Sequence, residues 1–438
     1  MSSVRGKKDL IQQRFDAALQ SLHEEKELAQ YEKKLDELHQ EVKDSYEFMQ
    51  KFPIEEHWRF FIDGVLQEED FGWIKFEERE AGYLAPLVKQ FQRLLKDKEF
   101  QTEKLTPGFV KKLHKNATED VINLIYDHPA AVPRIQGEFR QDPHAGFEMH
   151  VDNSSALGIA ELTNTIKTQD PAISPNRMAI LGQIKFPDRL ISPGFTKKLD
   201  TFTQYKKDKK NTVYSYENAE KDIPDFKLES IGIIWISNKN KIENDTASSI
   251  FNLIKNNYYN RQNKVWFYSF NQSDKVAESL EKDTAEIIEV YEEIISKVKT
   301  PLKKLMCIVT FIHLLEQLHP FIDANCRTFC MLLYYHQLMR HNFLPPIQED
   351  PNRFNGRAPI ELIKLTIREI EYTHQVIQGK KDVYGITTEK INAEENRLAE
   401  EQKEKNVSTP FFSKTQKGKT SVPDAPDETP AKKNIKNS

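Results

Sequence analysis

Cysteine is nearly missing from this chain: three thiols in 438 residues, Cys307, Cys326 and Cys330, all within one short region. An odd number so confined argues against a disulfide framework and for a reducing compartment. Charge of one sign is also lacking. Charged residues make up 30% of the chain but nearly cancel, leaving a formal net charge of −4. No global basic field favours nucleic acid, so a protein or nucleotide partner is the expectation. Long apolar runs are absent too, and the polar start Met1-Ser2-Ser3-Val4-Arg5-Gly6-Lys7-Lys8 lacks a signal-peptide pattern. We therefore expect no transmembrane segment and a protein that either stays in the cytoplasm or is exported without an N-terminal signal.

What the chain does contain is a polar loop between two apolar-periodic segments: His319-Pro320-Phe321-Ile322-Asp323-Ala324-Asn325-Cys326-Arg327. Before it, Pro301 to Leu318 has no Gly and no internal Pro. Leu302, Leu305, Ile308, Val309, Ile312, Leu315 and Leu318 recur at steps of three and four, as on a helix with one buried face. Pro320 should stop that helix at His319. Thr328 to His341 is periodic again, which predicts helix, loop, helix. A loop entering a helix N-terminus presents unpaired N–H groups and the positive end of the dipole, suited to an anion. Arg327 sits where that anion would be. If the anion is a polyphosphate, Asp323 is placed to hold Mg²⁺, His319 to take a proton from an attacking hydroxyl, and Asn325 to bond a phosphate oxygen.

These residues resemble the signature of the Fic/Doc family, His-x-Phe-x-Asp/Glu-Gly/Ala-Asn-Gly/Lys-Arg. His319, Phe321, Asp323, Ala324, Asn325 and Arg327 match it. The resemblance implies His319 as the base, Asp323 as the Mg²⁺ ligand, and Asn325 and Arg327, with the loop at Ala324 and Cys326, as the nucleotide phosphate site. Phe321 would anchor the loop. It also implies transfer of AMP from ATP, or of a related phosphate-containing group from another nucleotide, to a Ser, Thr or Tyr hydroxyl of a protein. Two positions depart from the pattern. Cys326 puts a side chain where Gly or Lys is usual, and Cys330 replaces a second Arg, removing a charge from the distal phosphate site. A different donor such as CDP-choline, or a catalytically impaired Fic-like binding module, are the alternatives. A soft-metal site built from His319, Cys326, Cys330 and His336 lacks zinc-type spacing, and His313 and His336 read as packing residues.

The fold expected is mainly α: an N-terminal helical region over 1–100, and a Fic-like helical bundle over 101–378 with an insertion at about 142–263. A charged, disordered tail follows over 379–438. The early helices read as a packing element or hairpin, with a dimerisation coil as the alternative because the heptad is broken. Phe52 to Trp73 reads as aromatic core. Leu105 to His114 and Gly137-Glu138-Phe139-Arg140 resemble the opening stretches of Fic domains. Ile191 to Leu199 nearly repeats the first, read as a helix start and not a duplication. Short strands are predicted at Gly232–Ile236 and Lys264–Tyr268, the second being either a β-hairpin flap that aligns a target or a buried edge strand. The Lys206 to Lys210 run reads as a solvated loop. Val213 to Asn218 approximates the family's inhibitory helix, with Glu217 as the possible inhibitory residue. The charged tail resembles the export signal of bacterial secreted effectors, which would place the protein in a host cytoplasm.

Overall fold

The computed structural model describes residues 6–119 with short breaks at 26–27, 64, 70 and 79–80, then 121, 136–141, 153–168 and 275–380. Between these it describes the backbone of five strands. The predicted tail beyond 380, the Lys206 to Lys210 run, the repeat at Ile191 to Leu199 and Glu217 lie outside the described residues.

The architecture is mainly helical, as the periodicity predicts. The longer helices are α1 (Lys7–Glu24), α2 (Leu28–Glu41), α3 (Leu84–Lys96), α4 (Pro107–Ala117), α5 (Ala156–Thr168), α6 (Val276–Lys297), α7 (Pro301–Leu318), α8 (Tyr334–Arg340) and α9 (Pro359–Ile377). Helix α7 is the hub and touches α1, α2, α6 and α9. Its sequence explains that place. Thr300 caps the first turn by accepting the Lys303 N–H, Pro301 sits where its missing N–H costs nothing, and every residue from Leu305 to Gln317 is buried. A helix that is apolar nearly all round must be surrounded.

The N-terminal helices join the same core. Ile11, Phe15, Ala18 and Leu22 form one buried stripe on α1, and Leu28, Leu35 and Leu38 one on α2. Both helices meet α7, so their apolar faces are used within the chain, as in the packing-element reading. Lys7 reaches from α1 to a buried carboxylate on α6, Asp283. Phe60 and Phe61 are core, with Tyr335 edge-on to both and Phe91 edge-on to Phe61 and tilted against Phe60. The expectation of core fails for the end of that aromatic stretch, since Phe71 is 68% and Trp73 38% exposed. Phe71 precedes and Trp73 lies on a short helical stretch, Gly72–Glu77, in which Phe76 packs against Tyr83.

The strands form one antiparallel sheet in the order β1-β5-β2-β4-β3, with β1 His144–Met149, β2 Arg177–Ile184, β3 Val213–Tyr214, β4 Ile233–Ile236 and β5 Lys264–Phe270. The predicted strands correspond to β4 and β5. Strand β5 is neither half of an isolated hairpin nor an edge. It pairs with β1 (Phe147 opposite Phe267) on one side and β2 (Ala179 opposite Tyr268) on the other. Periodicity alone did not reveal β1 and β2, because a short apolar run such as Met178 to Leu181 reads equally as buried helix.

Candidate active site

Helix α7 ends at Leu318, and the chain turns at His319 by entering the left-handed region (φ 50°, ψ 57°), with its N–H bonded to the carbonyls of Leu315 and Glu316 at 3.2 Å each. The helix was expected to stop here, before Pro320, and it does. The left-handed turn closes the helix end and lifts the imidazole onto the loop, a conformation that costs a non-glycine residue about 1 kcal/mol. Ala324 is also left-handed at φ 58°. Helical structure resumes at Asn325 and runs through a π-helical stretch, Arg327–Leu333, into α8. Wide turns of this kind are rare and occur mostly at functional sites.

Asn325 closes the loop from inside. Its Oδ1 accepts the Phe321 N–H at 3.0 Å and its Nδ2 donates to the Phe321 carbonyl at 2.9 Å, with the side chain buried. Thr328 secures the next turn, donating both N–H (3.0 Å) and hydroxyl (2.8 Å) to the Ala324 carbonyl. Phe321 is fully buried and lies flat on His114, ring centroids 3.8 Å apart, with Phe139 and Phe329 beside it.

Residues distant in sequence hold the loop from outside. Arg140 donates its backbone N–H to the Pro320 carbonyl and its Nε to the His319 carbonyl, both at 2.9 Å. His114 Nε2 lies 3.1 Å from the Asp323 carbonyl oxygen. Tyr83 places its ring face 4.9 Å from the Arg327 guanidinium and its hydroxyl 3.7 Å from the Met331 sulfur. Arg140 stood in a stretch marked by resemblance, without a role. His114 likewise closed a stretch marked by resemblance, without a role, and Tyr83 carried no signal, since a tyrosine at a helix start is ordinary in isolation.

On the loop, Asp323 is one-third exposed. Its Oδ1 accepts the Ala324 N–H at 2.6 Å and its Oδ2 lies 3.6 Å from Arg327 Nη2. His319 Nδ1 lies 3.2 Å from the Glu316 carbonyl oxygen, which can only accept, so Nδ1 carries the hydrogen and Nε2 is the basic nitrogen. Burial lowers the imidazole to about 4, with the Arg140 charge adding to the effect against Glu316 and Asp323. His319 is therefore neutral at physiological pH. Asp323 stands at the loop surface with His319 partly covered beside it, Arg327 is buried at its edge, and Asn325 and Phe321 face inward.

Beneath the loop Glu316 is 1% exposed, and burial raises its carboxyl to about 8, partly offset by a hydrogen bond with Cys330. Its Oε1 is 3.9 Å from His319 Nδ1. Cys330 is buried and its thiol pushed well up by burial and by its contact with Cys326. At Cys326 the bond with Cys330 pulls the thiol down, but burial and the nearby Glu316, Asp350 and Asp63 raise it overall. Both cysteines are thus neutral thiols.

No group of three or more His, Cys, Asp or Glu side chains able to hold a metal occurs among the described residues. His336, offered as a soft ligand, is buried in packing, its Nε2 3.0 Å from the Phe100 carbonyl oxygen and its Nδ1 2.9 Å from Gln337 Nε2. A single carboxylate beside an anion site does suit Mg²⁺, which takes one or two carboxylates and completes its shell with phosphate oxygens and water. No described helix is long and apolar enough to cross a membrane.

No family model matches the chain. Among curated proteins it is similar to the phosphocholine transferase AnkX of Legionella pneumophila, 26% identical over 344 residues. The alignment takes in 78% of this chain and 30% of that protein, so the chain spans less than a third of the relative's length.

Proposed function

We propose that the chain is a Fic-type transferase that moves phosphocholine from CDP-choline to a Ser, Thr or Tyr hydroxyl of a target protein. The observation that carries this reading is the loop itself. A neutral imidazole with Nε2 as its basic nitrogen stands on the same nine residues as a carboxylate and a guanidinium at a helix start.

In the proposed reaction the target oxygen attacks the choline-bearing phosphorus and the bond from that phosphorus to the CMP oxygen breaks. The hydroxyl proton passes to His319 Nε2, CMP departs as the leaving group, and the target retains a phosphodiester to choline. Catalysis is mainly positioning and charge neutralisation, as expected for transfer at phosphorus. Arg327 and the amides at the helix start receive the phosphate charge, and Asn325, bonded through its amide to the Phe321 backbone, holds the loop in the shape that receives it. Mg²⁺, held by Asp323, would supply further neutralisation of the diphosphate when bound.

Two things favour phosphocholine over AMP. The relative is named for phosphocholine transfer. In addition, Cys330, where an Arg is usual, is a buried neutral thiol, so the distal phosphate site carries one positive charge fewer. CDP-choline has two phosphates and a cationic end, and needs less positive charge than ATP. The relative's organism supports a bacterial effector that acts in a host cytoplasm.

The test is intact-mass measurement of lysate proteins after incubation with the chain, Mg²⁺ and a donor panel of CDP-choline, ATP and other nucleotides. A phosphocholine increment is expected with CDP-choline alone. An AMP increment with ATP would replace the donor, and no increment with any donor would favour the binding module. His319→Ala should abolish transfer yet keep donor binding, and full activity in that variant would overturn the assigned base.

A further inference from the structure

We propose that His114 is a positioning residue for this transfer. It sets the height and orientation of Asp323 by joining three backbone segments through one imidazole. The proposal rests on the reading of Asp323 as the group that faces the diphosphate.

The polarity of both hydrogen bonds is determined by their partners. The Gly137 backbone N–H lies 2.9 Å from His114 Nδ1 and can only donate, so Nδ1 is the acceptor. The Asp323 carbonyl oxygen lies 3.1 Å from Nε2 and can only accept, so Nε2 bears the hydrogen. This fixes the ring as the neutral Nε2–H tautomer. Protonation at Nδ1 would set two hydrogens against each other.

The ring face completes the arrangement by stacking on Phe321 at 3.8 Å and 9°, so that the loop residue two positions before Asp323 is held by the same side chain. His114 is fully buried, on the face of α4 turned toward the helix that follows the loop. Gly137, its other partner, is built for the contact. It sits at φ +77°, and a Cβ there would meet the Lys115 Cβ at 3.0 Å and the Lys111 carbonyl at 3.1 Å. Only glycine allows that amide to approach the ring. Three residues on, Arg140 bonds the carbonyls of His319 and Pro320. His114 thus ties the segment that holds the base to the residue that carries the carboxylate, and an error in its placement displaces both.

Three substitutions separate ring, donor and acceptor. His114→Phe keeps the stack and loses both hydrogen bonds. His114→Gln keeps a donor within reach of Asp323, and His114→Asn keeps an acceptor for Gly137. Misplacement of a reacting group by about 1 Å costs up to about 100-fold in rate. We therefore expect His114→Phe to lose about 10- to 100-fold in kcat and to need more Mg²⁺ for half-maximal rate. Its donor KM should change little, and its thermal midpoint should fall only modestly, as expected when two buried backbone groups lose their partner while the ring stack is kept. His114→Gln should recover more of the rate than His114→Asn. Amide hydrogen exchange read without donor should quicken at Gly137, Phe321 and Ala324 in His114→Phe and not on α1.

Unchanged kcat and Mg²⁺ response in a folded His114→Phe protein would overturn the proposal, as would unchanged exchange at those amides. Should wild type transfer no group from any donor, the functional reading fails. The exchange data then still decide whether His114 sets the loop.

Discussion

Replacing Glu316 by glutamine should stabilise the fold at neutral pH, by an amount that grows as pH rises. The carboxyl is enclosed between α7 and the helix after the loop, and burial raises it from an ordinary 4.5 to about 8. The unfolded chain releases the proton near pH 4.5 while the folded chain keeps it until about pH 8. Glu316 thus costs nothing below 4.5 and progressively more between the two values. At about 1.4 kcal/mol per pH unit, the cost at pH 7 is about 3 kcal/mol. Glutamine fills the same volume, keeps an oxygen that accepts from the Cys330 thiol and never ionises. The assay is a pair of urea denaturation series, wild type and Glu316→Gln, at half-unit steps from pH 4.5 to 8. Taking the difference cancels every other titrating group. It should be near zero at pH 4.5 and reach about 3 kcal/mol at pH 7. A difference that stays flat across the range would mean that Glu316 is ionised in the fold, and the account of the enclosure under His319 would be wrong.

Tyr83→Leu removes the aromatic face beside Arg327. Donor KM should rise about 3- to 10-fold, the equivalent of about 1 kcal/mol for a cation on an aromatic face, with Tyr83→Phe near wild type; steady-state kinetics checks both. Cys326→Gly removes a side chain from the turn and should tighten donor binding measured by titration calorimetry, whereas unchanged affinity would mean that the native turn does not obstruct the phosphate. The fold should also be acid-labile. Burial lowers His57, His319, His336 and His341 to about 4 and His313 to about 3, against an ordinary 6.5. Each contributes stability that is complete above pH 6.5 and lost as pH falls toward its folded value, at up to about 1.4 kcal/mol per pH unit. Denaturation midpoints should therefore fall steeply from pH 6.5 to 4.5, and a flat profile would contradict the burial of these rings.

Much of the site was legible because its local structure follows from near neighbours. Thr300 and Pro301 start α7 and Pro320 stops it. The apolar residues at three- and four-residue steps identify its buried face, and the loop between two such segments brings His319, Asp323 and Arg327 together whatever the rest of the chain does. The failures were of a different kind. The end of the Phe52 to Trp73 stretch was read as core, yet Phe71 and Trp73 face outward, because aromatic content says nothing about which side of a short helix meets a neighbour. The left-handed backbone at His319 and the π-helical stretch after Cys326 were also invisible, since each depends on how the loop is gripped from outside.

The amino-acid order alone settled that this is a mainly helical chain with a polar loop between two helices, because helix periodicity, capping and proline stops act over a few residues. Tertiary structure alone decided how that loop is held and charged. His114 and Arg140 reach it across 209 and 179 residues. Asn325 turns its amide inward, and His319 and Glu316 stay neutral because packed neighbours exclude water from around them. Desolvation and long-range hydrogen bonds belong to the enclosure, and an enclosure exists only once distant segments have met.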